Sequence, residues 1–179
     1  MLNENERELC LKIAKEAIAH KLGIVDNITP CPDIEIFKAK ENGLFVTLHK
    51  NGQLRGCIGY ILPYNTLYLS LIELAKMAAF NDTRFNPVTK DEYHELEFEI
   101  SILSPLYPVN DIQEIMIGRD GLIIEHPHGK GLLLPQVATE YNWDKETFLK
   151  QTCRKAGLSE KVLQDNKTKI IRFEAEVFS

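Results

Sequence analysis

The sequence has little of what marks a secreted, membrane or zinc-binding protein. Its 4 cysteines include no C-x-x-C pair, which argues against a zinc knuckle or a thioredoxin-type motif. Their sparse spacing is typical of a reducing compartment rather than of a disulfide scaffold. No apolar run approaches the ~18 residues of a membrane span, and the acidic N-terminus has no apolar segment typical of a signal peptide. The expected location is therefore the cytoplasm, with no membrane attachment.

The chain also lacks an excess of basic residues. It carries 21 Lys and Arg against 26 Asp and Glu, a formal net charge of -5 at pH 7. Because nucleic-acid-binding domains usually carry a basic footprint, this balance argues against a nucleic-acid partner. The length of 179 residues, 44% of them hydrophobic, suits one domain over 1–179 with a core of its own.

Two hydrophobic periods alternate along the chain. Helices are predicted where apolar residues recur every three or four positions, at 3–22, 66–80 and 144–156. Strands are predicted where apolar and polar residues alternate, at 44–49, 96–103 and 169–178, with a further strand at 35–40 and a turn at 41–43. Hairpins interrupted by helices predict an α+β protein, built on a mostly antiparallel sheet with flanking helices.

Residues 54–60 contain two glycines around a cysteine that follows an arginine. Gly weakens a strand by roughly 0.5–1 kcal/mol relative to Ala, so two within four residues indicate a bulge or a close approach to the backbone. Regular alternation places Arg55, Cys57 and Gly59 on one face of this strand. Leu54 and Gly56 fall on the other face.

The hairpin around Asn51-Gly52 has two possible registers. A two-residue loop would place Leu48 opposite Arg55. A three-residue loop would place Leu48 opposite Leu54 and bring Phe45 opposite Cys57. The second register is preferred because it keeps the aliphatic residues on one core face.

Several strings together resemble the AMMECR family. They are G-L-F-V-T-L at 43–48, L-R-G-C-I-G at 54–59, N-D-T-R-F-N-P-V at 81–88, E-I-S-I-L-S at 99–104, G-L-L-L-P-Q-V-A at 131–138 and K-A-G-L at 155–158. The resemblance implies one domain with a larger and a smaller lobe and a cleft between them, at which the L-R-G-C-I-G signature lies. Thr83 stands where the family's loop commonly has proline.

The resemblance also implies partner proteins. Prokaryotic members look like partners of a Memo-type dioxygenase-like protein and a radical-SAM protein, which indicates a shared pathway. No reaction, substrate or cofactor follows from it.

Cys57 is the first candidate site residue. A nearby cation lowers the pKa of a thiol, and Arg55, two residues away on the same face, is expected to be that cation. A nucleophile also needs a base, for which His49 is the nearest histidine by sequence. The alternatives are a ligand contact without covalent chemistry and a small side chain packed in a tight bend.

Arg55 and Arg84 are candidates for holding an anion, since guanidinium presents a planar fork to carboxylate or phosphate. Phe85 follows Arg84 directly, and exposed amides near Gly56 and Gly59 would add donors. The alternatives are solvated arginines, or salt bridges to glutamates of the 96–103 strand.

His126 and His128 share a strand-like face, but a metal site needs at least three ligands. A turn through Pro127 and Gly129 is the favoured interpretation, so no metal is predicted.

These features of the sequence leave three possible functions. The first is a small-ligand binding or accessory module, taking an anionic or nucleotide-like molecule and working with the Memo-type and radical-SAM proteins. The second is a cleft enzyme that uses Cys57 as nucleophile on a small anionic substrate. The third is an RNA-binding or RNA-modification factor.

Overall fold

The computed structural model describes residues 2–40 and 42–179, and the chain divides into two compact units. Unit 1 comprises Met1–Leu103 and Glu176–Ser179, and unit 2 comprises Ser104–Ala175. Helices and antiparallel strands occur in both units, which confirms the predicted α+β class. The single family domain and the cleft stay predictions. The turn predicted at 41–43 falls on Glu41, which lies outside the described residues.

Unit 1 is built from three helices and a three-stranded antiparallel sheet. The helices are α1 (Glu4–Lys21), α2 (Glu35–Lys38) and α3 (Leu67–Phe80), and the strands are β1 (Leu44–Lys50), β2 (Gln53–Tyr60) and β3 (Leu96–Leu103). The strand order is β2-β1-β3, so β2 has a neighbour within the unit on one side only. The candidate site lies at that free side of β2.

The core of unit 1 lies between one face of the sheet and the long helices. Leu44, Val46 and Leu48 alternate along β1 and are at most 1% exposed, as the sequence pattern predicted. Asn3 begins α1 with a capping box, and Thr66 begins α3 by accepting a hydrogen bond from the Leu69 amide. These caps satisfy backbone donors that have no partner within the helix.

The strand predicted at 35–40 is wrong, because the chain forms the single helical turn α2 there. Phe37 is fully buried, and the Ala39 amide donates to the Glu35 carbonyl. Six residues are too few to distinguish a period of 2 from one of 3.6, so burial of one aromatic ring decided the local structure.

The hairpin register is also corrected. Asn51 and Gly52 both have positive φ, 52° and 71°, which is the geometry of a two-residue loop, and not of the predicted three-residue loop. A β-bulge follows: His49 pairs with Leu54, whereas Leu48 pairs with Gly56. The extra residue inverts the alternation of β2, so neither predicted register continues through the strand.

The bulge residue is Arg55, which has no partner on β1. Beyond it Cys57 pairs with Thr47, where the preferred register had placed Phe45. Leu54 is carried to the side opposite the helices and is 42% exposed. The bulge therefore separates Arg55 and Leu54 from the regular part of the strand, and the predicted common face of Arg55 and Cys57 is lost.

Unit 2 contains the other four strands and two helices. They are β4 (Tyr107–Pro108), β5 (Asp120–His126), β6 (Gly129–Leu133), α4 (Pro135–Glu140), α5 (Lys145–Lys155) and β7 (Lys169–Phe178), whose last residues, from Glu176 on, belong to unit 1. The antiparallel strand order is β4-β7-β5-β6. Leu122 and Ile124 of β5 pack with Phe148, Leu149 and Cys153 of α5 to form the core.

No helix within residues 2–40 and 42–179 combines the length and the apolar character needed to cross a membrane.

Candidate functional site

The centre of the site is the carboxylate of Asp82, in the polar loop after α3. It accepts hydrogen bonds from the Cys57 backbone N–H at 2.9 Å and from Arg84 Nε and Nη2 at 2.9 and 2.7 Å. The Arg84 backbone N–H adds a bond of 3.2 Å. Asp82 is only 6% exposed, and a buried carboxylate needs such partners. The Arg84 guanidinium, with these backbone donors, holds the Asp82 pKa well below its usual range.

The same loop closes part of the free edge of β2. Arg84 Nη2 also donates to the Cys57 carbonyl at 3.3 Å. Both main-chain groups of Cys57 are thus bonded by side chains, in the way that a neighbouring strand would bond them. Unpaired strand edges invite pairing with other chains, so Asp82 and Arg84 protect β2 at this position.

Arg55 bonds to a different carboxylate. Its Nε and Nη2 donate to Glu92 at 2.7 and 3.0 Å, and Nη2 also reaches the Asn86 carbonyl at 2.8 Å. The Arg55 guanidinium, with the nearby Lys50, lowers the Glu92 pKa. The salt-bridge alternative therefore has a partner that the sequence reasoning did not name.

Phe85 lies between these two charge pairs. The guanidinium carbons of Arg84 and Arg55 lie 5.4 and 5.9 Å from the centre of its ring, within the range of cation–π attraction. The two arginines nevertheless differ in access, since the Arg84 side chain is 53% exposed and that of Arg55 is 14% exposed. Of the two predicted anion-binding arginines, Arg84 is the one with an open side.

The Cys57 thiol is partly buried, and its hydrogen bond comes from Thr47 Oγ1 at 3.2 Å. Burial raises the Cys57 pKa above its ordinary value, against smaller lowering effects from the Thr47 bond and from Arg84. The thiol is therefore largely protonated at neutral pH, which disfavours a nucleophile. The expectation that Arg55 acts on the thiol is wrong in this geometry, because the bulge directs Arg55 to Glu92 and the nearby cation is Arg84.

His49, the candidate base, lies two residues beyond Thr47 along β1, opposite Leu54. In the part of the chain that the structure describes, the thiol has its hydrogen bond with Thr47 and none with His49. The role of His49 stays a prediction without a contact to support it.

The two signature glycines have packing reasons. A side chain at Gly56 would overlap the backbone carbonyl of Ala78 in α3, and one at Gly59 would overlap the Phe45 ring. The close approach that glycine permits is thus made here by the protein's own helix and aromatic ring. Ligand binding by these two residues stays a prediction.

His126 and His128 lie in unit 2 at the turn between β5 and β6. Their ring centres are 5.1 Å apart, and His126 Nε2 lies 3.4 Å from the Asp165 carboxylate. Among the described residues there is no group of three or more His, Cys, Asp or Glu side chains placed to hold a metal.

Sequence reasoning missed Asp82, Glu92 and Thr47. A signal for the first was present, since Asp82 stands two residues before Arg84 in a polar loop, a spacing at which a carboxylate can hold an arginine locally. No comparable local signal identifies Glu92, which lies 37 positions from Arg55.

The comparisons with known proteins agree with this architecture. The AMMECR1 family model matches residues 11–178. A protein of Methanothermobacter thermautotrophicus is 42% identical, covering 99% of this chain and 95% of the relative, and one of Pyrococcus furiosus is 40% identical over 96% and 86%. The crystal structure of an uncharacterised protein from Pyrococcus horikoshii has a TM-score of 0.88 and 35% identity, covering 98% of this chain and 92% of that one. By sequence and by fold, the chain belongs to the AMMECR1 family.

Proposed function

We propose that this protein is an accessory binding module that recognises an anionic group through Arg84 and Phe85, called here the Arg84 surface. One observation carries the proposal. Asp82 holds the guanidinium through Nε and Nη2, at 2.9 and 2.7 Å, while the Arg84 side chain remains 53% exposed.

Guanidinium has five N–H donors in a rigid plane. Asp82 accepts hydrogen bonds from Nε and Nη2 of Arg84. The N–H groups of Nη1 therefore remain to donate to a second carboxylate or phosphate. Asp82 also raises the Arg84 pKa, which keeps the group charged at every working pH. Because the side chain is already ordered, binding loses little further conformational freedom.

The affinity for a lone anion is expected to be weak. Asp82 neutralises much of the Arg84 charge, and the open side faces water. We expect dissociation constants on the order of 0.1–1 mM for inorganic phosphate. Phe85, half-buried beside the guanidinium, offers a ring face on which a nucleobase can stack, so a nucleotide is expected to bind more tightly.

The proposal extends to the partners. The resemblance to the AMMECR family supports a Memo-type dioxygenase-like protein and a radical-SAM protein as the proteins that this module serves. In that arrangement the anionic group belongs to a small molecule passed between them. A catalytic role for Cys57 ranks lower, because burial raises the pKa of its thiol.

The test is a ¹H–¹⁵N NMR titration with inorganic phosphate and with AMP, using Arg84→Gln and a matched control. The control is Arg119→Gln: Arg119 is 39% exposed and likewise bonded to a buried neighbouring aspartate, Asp120. We expect saturable chemical-shift changes at the amides of 82–86 and tighter binding of AMP than of phosphate. Arg84→Gln is expected to lose the binding of both ligands, whereas Arg119→Gln is expected to keep it.

Equal weakening by the two substitutions would indicate a general charge effect and would overturn the proposal, as would the absence of saturable shifts at these amides. Cys57→Ala is expected to bind AMP as the wild type does, and loss of binding in that variant would favour the enzyme hypothesis.

A further inference from the structure

A second feature, independent of the Arg84 surface, is a cavity of about 350 Å³ in unit 2. It is lined by residues 106, 108–110 and 168–171. Ligand pockets usually measure about 300–1,000 Å³, so this cavity has room for a small molecule only.

The cavity exists because two paired segments separate. Tyr107 and Pro108 form the whole of β4, and the Val109 amide makes a last bond of 2.9 Å to the Ile170 carbonyl. Asn110 then leads away from β7. The opposite wall is fixed by Thr168, whose amide and hydroxyl bond to the carbonyls of the preceding turn, at Asp165 and Val162 respectively.

The walls combine an apolar part with a single cation. Leu106, Val109 and Ile171 are aliphatic lining residues, and Asn110 and Lys169, both exposed, are polar lining residues. The Thr168 hydroxyl is already bonded to the Val162 carbonyl. Within residues 2–40 and 42–179, no carboxylate lies within 4.0 Å of the Lys169 ammonium; its cross-strand neighbour on β5, Glu125, lies 3.2 Å from Lys130 instead.

We infer that this cavity binds a short aliphatic carboxylate, with its chain against the apolar wall and its carboxylate at Lys169 and Asn110. An amide and an ammonium group are donors that a carboxylate accepts from. A neutral alcohol of the same length would leave the ammonium without a partner, and an inorganic anion would leave the apolar wall uncovered.

The test is isothermal titration of the full chain with butyrate, hexanoate and octanoate, with hexanol and inorganic phosphate as comparisons. Each buried CH₂ contributes about 0.8 kcal/mol, so affinity is expected to rise about fourfold per CH₂ until the cavity is full. In Arg84→Gln, which lacks the Arg84 surface as a second anion site, hexanol and phosphate are expected to bind at least tenfold more weakly than hexanoate.

Substitutions at lining residues of the cavity test whether hexanoate binds there. Lys169→Gln is expected to weaken hexanoate binding about five- to tenfold without affecting the fold, and Leu106→Trp to abolish it by filling the cavity. Lys161→Gln, at an exposed lysine outside the cavity, is the charge-matched control and is expected to bind as the wild type does. If Leu106→Trp does not fold, amide shifts in wild type confined to 106, 107, 109, 110 and 168–171 give the same information.

Affinity that does not depend on chain length, or equal loss in Lys161→Gln and Lys169→Gln, would overturn the inference. Arg84→Gln is expected to keep the binding of hexanoate that depends on chain length, so failure here and failure of the proposed function are distinguished by separate titrations.

Discussion

Replacing Asp82 with asparagine tests the interaction on which the site depends. Asparagine keeps the shape of the side chain, and its oxygen can still accept the Cys57 amide. It removes the negative charge from Arg84, however, and places amide hydrogens near guanidinium hydrogens. The change therefore isolates the charge of a carboxylate that is 6% exposed and bonded to four N–H groups.

The size of the expected loss of stability depends on how deeply each partner of the Asp82–Arg84 ion pair is buried. Removing one partner of a fully buried ion pair costs about 3–5 kcal/mol. The Arg84 side chain is 53% exposed, so water compensates part of that loss. We expect a decrease in the free energy of unfolding of about 2–3 kcal/mol, which for a chain of this size lowers Tm by roughly 4–12 °C.

The effect also has a defined pH dependence. The pKa of Asp82 is lower in the folded protein than its ordinary value, so the folded state favours the ionised form. The stabilisation is fully present above the unfolded-state pKa, about 3.9, and is lost as pH falls toward the folded-state pKa. The difference between wild type and Asp82→Asn is therefore expected to be largest at pH 7 and smaller at pH 3.

The assay must report on unit 1. The only tryptophan, Trp143, lies in unit 2, so unfolding is better followed by far-UV circular dichroism and by hydrogen exchange of the Cys57 amide. Asp91→Asn, at an exposed aspartate, is the matched control. A difference of less than 0.5 kcal/mol between Asp82→Asn and wild type at pH 7 would refute the reasoning, as would an equal loss in Asp91→Asn.

Three further predictions follow from the same structure. Iodoacetamide at pH 7.5 is expected to label exposed Cys31 fastest, Cys57 more slowly and buried Cys10 last. Burial raises the pKa of the Cys10 thiol to about 12. Labelling is followed by mass spectrometry, and fastest labelling of Cys57 would favour the enzyme hypothesis. Gly56→Ala forces a methyl group into the α3 backbone. It is expected to lower the free energy of unfolding, measured by urea denaturation, by about 1–3 kcal/mol. An unchanged free energy of unfolding would contradict the close packing of Gly56 against α3. Thr66→Ala removes the α3 cap and is expected to cost about 1 kcal/mol, whereas Thr66→Ser, which keeps the hydroxyl, is expected to unfold as wild type does.

Long periodic segments of the fold were predictable from the sequence. The pattern at 3–22 identified α1 and that at 169–178 identified β7, because many residues repeat one burial period there. The segment at 35–40 was not predictable, since its outcome depended on burial of one aromatic ring. The Asn51-Gly52 turn was recognisable, but the bulge at Arg55 changed the register beyond it.

The candidate site was likewise predictable from the sequence only in part. The sequence singled out Cys57 and Arg84 as separate candidates, and the structure brings Arg84 Nη2 to the Cys57 carbonyl. It could not give the partner of Arg55, because Glu92 is brought to it only by folding. It also could not give the protonation of the thiol, which depends on burial.

The sequence by itself determined where the long helices and strands form, and which polar residues stand in the β2 strand and in the loop at 81–88. The tertiary structure decided which charges those residues meet, since the partners of a carboxylate or guanidinium come from segments distant in the chain. The bonded donors keep Asp82 ionised in spite of its burial, whereas burial keeps the Cys57 thiol protonated because its donors are too few.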